Sequence, residues 1–251
     1  MGLEEYDFRF AYDFAERVVA LVRGTDEQAR EERGYYLPSE PVSDFVTKAA
    51  KPQKRTLLHE YIYSVIVEQY EWDIGHGAPE DLIDMRGLFI AANRTVPEWM
   101  TPEHLVDHLY DLDREMRMCV DALVPATFHI LFSDLRFLQD FQDIVSELVS
   151  QISAEEFPIA LRSVGVLRRP RHIPVWLKKA IFHRDKGRCQ ACLCDLTGVI
   201  ALGSEIHIDH IRPLARSGSN DPTNFQLLCE PCNKRKGARE VEGRWRTQTY
   251  W

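Results

Sequence analysis

CQAC at residues 189–192, HIDHIRP at 207–213 and NFQLLCEPCNKRKG at 224–237 form the stretch on which the reading of this chain turns. Two Cys-x-x-Cys pairs, Cys189/Cys192 and Cys229/Cys232, stand with 36 residues between them. Four thiolates complete a closed tetrahedral shell, so two such pairs signal a structural zinc. Cys194 is a competing ligand, but the equal spacing of the two pairs favours Cys189 and Cys192. The gap exceeds what a simple zinc ribbon needs, and the insert carries Asp209 and His210 side by side, then Asn224.

Taken together, Cys189-x-x-Cys192, Asp209-His210-Ile211-x-Pro213, Asn224, Cys229-x-x-Cys232-Asn233 and Lys236-Gly237 resemble the HNH endonuclease family. The resemblance covers about the last third of the chain and implies a zinc-stabilised ββα-metal domain that hydrolyses phosphodiesters. On that resemblance, His210 is the general base, its ordinary pKa near 6.5 suiting water activation at neutral pH. Asp209 and Asn233 supply oxygens for a catalytic cation, and a hard, oxygen-rich set suits Mg2+ or Mn2+. Asn224 would hold the loop that carries His210. Lys234, Arg235, Lys236, Arg239 and Arg212 would lie along the backbone of bound DNA. His207 stands where the family often has an acid. The alternative is a catalytically silent zinc module that binds nucleic acid and tethers a helical interaction domain.

The chain has 251 residues, room for two domains, and 45% hydrophobic residues, enough for a core. Its net charge of −8 is unevenly spread. Residues 166–251 carry 16 Lys and Arg against 8 Asp and Glu; residues 1–165 carry 15 against 31. The basic end suits a phosphate backbone, whereas the acidic part suits a partner protein or simple solvation. The start, MGLEEYDFRF, lacks the cationic opening of a secretory signal. The longest uncharged run, Ala122–Ser133, has 12 residues, too few to span a bilayer. The expectation is a cytoplasmic protein, where clustered cysteines hold metal more often than they form disulfides.

Apolar spacing predicts helices at 3–23, 42–50, 56–72 (where β-branched residues leave a strand open) and 80–92. Thr101-Pro102-Glu103 predicts a helix start, with Pro125 stopping that helix near Leu123. A further helix is expected over 134–152, then a short one opened by Ser153-x-x-Glu156. His104 and His108 would share a helix face, as ligands or as a half-exposed polar surface. Cys119 reads as a core residue. GVLRRPRHIP at 165–174 marks the change of domain; Arg168, Arg169 and Arg171 there suit either a phosphate backbone or a solvated linker. Beyond it come a helix at Val175–Arg184, a hairpin over 196–212 turning near Gly203-Ser204, and a helix that begins over 224–228, is interrupted or continued through the second knuckle, and ends near Gly237. Trp245, Tyr250 and Trp251 suit packing. The fold class is α+β: an acidic, mostly helical domain at 1–165, then a small zinc-stabilised ββα-metal domain at 166–251.

Overall fold

A computed structural model describes residues 8–24, 33–37, 42–76, 81–101, 104–198 and 207–237. The fold is α+β: helices dominate before residue 152, and short strands appear after it. The chain forms two compact units, Met1–Leu21 with Leu58–Leu131 and Val22–Leu57 with Phe132–Trp251.

The first unit is helical. Helix α1 (Arg9–Arg23) buries Ala11, Phe14, Ala15 and Val18, a run at i, i+3, i+4, i+7 that sets one apolar face. Phe14 meets Tyr70 of helix α3 (Leu57–His76) edge to face at 6.3 Å. Helix α4 (Asp81–Ala91) brings in Leu88 and Phe89, both fully buried. Next come a 3-10 turn at Leu105–His108 and helix α5 (Leu109–Phe132). Helix α5 passes through Pro125, where the sequence predicts a stop. Pro125 faces solvent, so the helical pattern of buried residues (Val120, Val124, Phe128, Leu131) continues past it. His104 bonds Thr101 and His108 stacks on Trp99, and neither belongs to a metal-ligand cluster among the described residues. Cys119 is fully buried, and burial pushes its thiol up to about 12. No single helix among the described residues is long and apolar enough to cross a membrane.

The second unit holds the two cysteine knuckles. Helix α2 (Val42–Ala50) and helix α6 (Leu135–Gln151) flank its polar loop. Asp134 caps α6: its Oδ1 accepts from the backbone of Arg136 and Phe137 at 2.9 and 3.0 Å. Ser153 opens a turn rather than a helix, its hydroxyl accepting from the Glu155 backbone at 3.2 Å. Strand β1 (Leu161–Ser163) then pairs antiparallel with β2 (Val166–Leu167). The tight turn between them needs Gly165, with φ of 66° and a path so close to Ser150 that a Cβ would lie 2.9 Å from its Cα. The composition change at 165/166 therefore falls inside a hairpin and inside this unit. Residues 132–165, acidic in the sequence, fold with the basic C-terminal stretch.

Helix α7 (Val175–Arg184) runs where its sequence places it and packs on strand β4 (Phe225–Leu228). Strand β4 corrects the expected helix over 224–228: its four residues are buried and pair with strand β3 (His207–His210), while Asn224 ends a 3-10 turn, Pro222–Asn224. The register sets His207 opposite Leu228, Asp209 opposite Gln226 and His210 opposite Phe225. The ββ unit is thus β3 with β4; an isolated bridge joins Arg188 to Asp195, and the turn expected near 203–204 lies outside the described residues. Helix α8 (Glu230–Lys236) starts at the second knuckle and packs on β3.

Candidate functional site

The knuckles are built by local backbone bonds. Cys189 N–H donates to the Cys194 carbonyl at 3.0 Å, and Leu193 returns a bond to the Cys189 carbonyl at 2.7 Å. Gln190 N–H reaches the Leu227 carbonyl at 2.9 Å, which ties the first knuckle to β4. Strand β4 delivers Cys229 to the N-cap of α8, and Cys232 sits in its first turn. The sulfurs of Cys189, Cys192, Cys229 and Cys232 consequently lie within 4.8 Å of one another. A tetrahedral zinc with bonds of about 2.3 Å sets its sulfurs about 3.8 Å apart, and Cys192 and Cys229 are 3.7 Å apart. The donor set is therefore compatible with structural zinc. Burial raises the Cys192 thiol, but the Cys194 backbone bond and the neighbouring thiols outweigh it and bring it down to about 6. Cys194 neighbours the cluster without joining the four.

Asp209 and His210 end strand β3, and alternation sends their side chains to opposite faces. Asp209 faces α8, where Lys236 Nζ lies 2.5 Å from its Oδ2 and also donates to the His210 carbonyl at 2.8 Å. Lys236 is buried in this pair and so does not lie on the surface where a DNA backbone contact would place it. Asn233 sits three residues earlier on α8, a spacing that shares a helix face, and is half-buried. Its side chain makes no hydrogen bond among the described residues.

His210 is 5% exposed. Its ring lies 4.5 Å from that of Phe225, and its Nε2 is 3.0 Å from Asn220 Oδ1. Burial holds its pKa down to about 4, against the opposing pull of the Asn220 bond and the Asp209 charge. The imidazole is thus neutral at pH 7.

Asn224 clamps the loop between the strands. Its Oδ1 accepts from Arg212 N–H at 2.8 Å, and its Nδ2 donates to the carbonyls of Arg212 and Ser219 at 3.0 and 2.7 Å. Gly218 passes so close to the Arg212 carbonyl that any Cβ would overlap it. The other side of the loop rests on α6, with Gln142 bonded to Thr223 and to Ser219 at 2.8 and 2.9 Å. Asp221, fully buried, accepts from Leu57 N–H at 2.8 Å and caps Thr223 at 2.9 Å; burial raises its carboxyl pKa despite these bonds. A second buried pair, Arg184 with Asp185 at 2.7 Å, braces β4: Arg184 donates to the Phe225 carbonyl and Asp185 accepts from Leu227 N–H.

Among the five basic residues named from the sequence, Lys234 and Arg235 are exposed on α8. Lys234 pairs with Glu230 at 2.5 Å, and Arg235 donates to Cys232 Sγ at 3.1 Å. Arg212 turns towards the Asp143 carboxylate of α6 and the Arg216 carbonyl. Arg239 and the aromatic residues at the C-terminal end lie outside the described residues. His207 is half-buried beside Glu230. Asn220, Gln142 and the Lys236–Asp209 pair escaped sequence reading. The polar run SGSNDPTN at 217–224 is the one signal pointing to this loop, and it reads as an ordinary turn.

Residues 189–239 match the family model described as HNH endonuclease. This C-terminal region is accordingly an HNH domain, of a family that acts on nucleic acid. Comparison with curated proteins and with solved structures returned no match.

Proposed function

We propose that the protein is a metal-dependent endonuclease that hydrolyses phosphodiester bonds in DNA. The observation that carries this reading is the Asp209-His210 pair on β3, with Asp209 turned to α8 and the loop after His210 held by the Asn224 clamp, within the matched HNH region. Hydrolysis requires an activated water, a neutralised phosphate and a stabilised leaving oxygen. His210, neutral at pH 7, takes the proton from water. Asp209 and Asn233 offer a carboxylate and an amide oxygen, a donor set that fits Mg2+ or Mn2+ and would supply charge neutralisation at the phosphate. Asn224 keeps the backbone after His210 in place. Lys234 and Arg235 are exposed on the surface, where they would exchange their present partners for the phosphate backbone. The acidic helices suit a protein partner, and a cytoplasmic role in restriction or phage defence fits a nuclease of this build.

Two observations favour the second reading, a catalytically silent zinc module that binds nucleic acid: His210 is buried, and an ammonium already occupies Asp209. Under the nuclease reading, substrate binding must uncover the ring, and the cation must share the carboxylate with Lys236. Incubation of the purified protein with supercoiled plasmid, with Mg2+ and with EDTA, separates the two. Nicking or linearisation that EDTA stops supports the nuclease; shifted but uncut plasmid under both conditions supports the silent module.

A further inference from the structure

We infer that Asn220 is the positioning residue of His210, holding the neutral ring as the Nε2–H tautomer so that Nδ1 is the basic nitrogen. The inference rests on the proposed role of His210 as the base, and adds to it which atom takes the proton and what decides this.

The amide of Asn220 is fully buried. Its Nδ2 donates to the carbonyl oxygens of Ala50 and Arg168, at 3.0 and 2.8 Å. An amide nitrogen has two hydrogens, and both are thereby used. Rotating the amide by half a turn would press Oδ1 against two carbonyl oxygens with no proton between them. Burial removes any water that would relieve that contact, so the orientation is fixed by chemistry. The backbone N–H of Asn220 adds a third tie, to the Ala49 carbonyl at 2.7 Å.

With the amide fixed, Oδ1 points at His210 Nε2, 3.0 Å away. An amide oxygen only accepts, so Nε2 must carry the hydrogen. A neutral imidazole has a single ring N–H, which leaves the lone pair on Nδ1. No hydrogen bond to Nδ1 forms among the described residues. The basic nitrogen is therefore unspent, while the opposite nitrogen is anchored.

This role differs from that of Asn224, whose amide bonds only backbone groups of Arg212 and Ser219. It also explains why α2 and the residue after β2 meet at this loop. Ala50 ends α2 and Arg168 follows β2, so segments far from His210 in sequence set the orientation of its ring.

The spectroscopic part of the test uses the full-length, zinc-loaded protein without DNA or added divalent cation. Imidazole nitrogens are observed by long-range 1H–15N NMR at pH 7.5, with His210 identified by its disappearance in His210→Gln. The expected result is a protonated Nε2, a bare Nδ1, and an Nε2–H proton slow enough in exchange to be seen directly. In Asn220→Ala that proton should be lost to exchange and the ring shifts should move to the average of two tautomers. Single-turnover plasmid cleavage should fall roughly 10–100-fold, the usual cost of losing an orienting partner, with zinc content and far-ultraviolet circular dichroism unchanged. An Nδ1–H tautomer in the wild type overturns the inference, as does a folded Asn220→Ala protein whose His210 signals match the wild type. Should Asn220→Ala fail to fold, the wild-type spectrum still decides. Absence of plasmid cleavage by the wild type, alongside the expected tautomer, would count against the nuclease reading and leave the assignment of Asn220 standing.

Discussion

Lys236 Nζ lies 2.5 Å from Asp209 Oδ2, with the two side chains only 1% and 11% exposed. The pair forms because α8 docks on β3. Removing one partner of a buried pair strands the other charge. Lys236→Met should therefore cost about 3–5 kcal/mol in denaturant unfolding. Lys234→Ala, on the exposed face of the same helix, should leave stability nearly unchanged. Equal effects of the two substitutions would contradict the burial of Lys236.

The four-cysteine cluster should hold one zinc per chain. Cys229→Ser should lose the metal and melt β3, β4 and α8 together, because Cys229 joins β4 to the start of α8. Elemental analysis checks the stoichiometry, and near-ultraviolet circular dichroism follows the fold. Zinc retained in full by Cys229→Ser would mean another ligand set, Cys194 being the nearest thiol.

His210 links stability to pH. Burial holds its folded pKa near 4, below the ordinary 6.5. The unfolded chain thus takes up the proton first. The stabilisation is complete above pH 6.5, declines as pH falls towards 4, and levels off below. The total is about 3 kcal/mol for a shift of this size. The stability difference between wild type and His210→Ala, measured by denaturation at several pH values, should shrink over that window. A difference independent of pH between 7.5 and 4.5 would show that the ring is not buried neutral.

Cleavage and zinc binding should separate at the site. His210→Ala should reduce plasmid cleavage by roughly 10²–10⁴-fold, the contribution of general acid–base catalysis, without releasing zinc. Asp209→Ala should abolish cleavage at any practical Mg2+ level, and Asn233→Ala should raise the Mg2+ requirement more mildly. A magnesium titration of all three reads this directly. Undiminished cleavage by folded His210→Ala would move the active site elsewhere.

Asn224→Ala removes three hydrogen bonds from the buried loop, those to the Arg212 N–H and to the Arg212 and Ser219 carbonyls. A loss of about 2–4 kcal/mol is expected, since each stranded buried group costs about 1–3 kcal/mol and the loop relaxes in part. Unfolding midpoints of the variant, compared with those of exposed Lys234→Ala, test it.

The sequence by itself determined the parts that local chemistry controls. The two knuckles follow from cysteine spacing, and α2, α6 and α7 from apolar periodicity. Asp209, His210, Asn224 and Asn233 were legible because their order along the chain carries the resemblance. Only the tertiary structure decided the rest. Phe225-Gln-Leu-Leu is a short apolar run that suits a buried strand or a helix, and pairing with β3 chooses the strand. Lys236 reads as a surface cation until α8 sets it against Asp209. Asn220 reads as a turn residue until Ala50 and Arg168, distant in sequence, supply the carbonyls that fix its amide. The charge change at 165/166 is real in composition, yet the β1–β2 hairpin and α6 join the two sides of it. Burial and hydrogen-bond partners are properties of what is brought close in space, and a single chain read in order does not contain them.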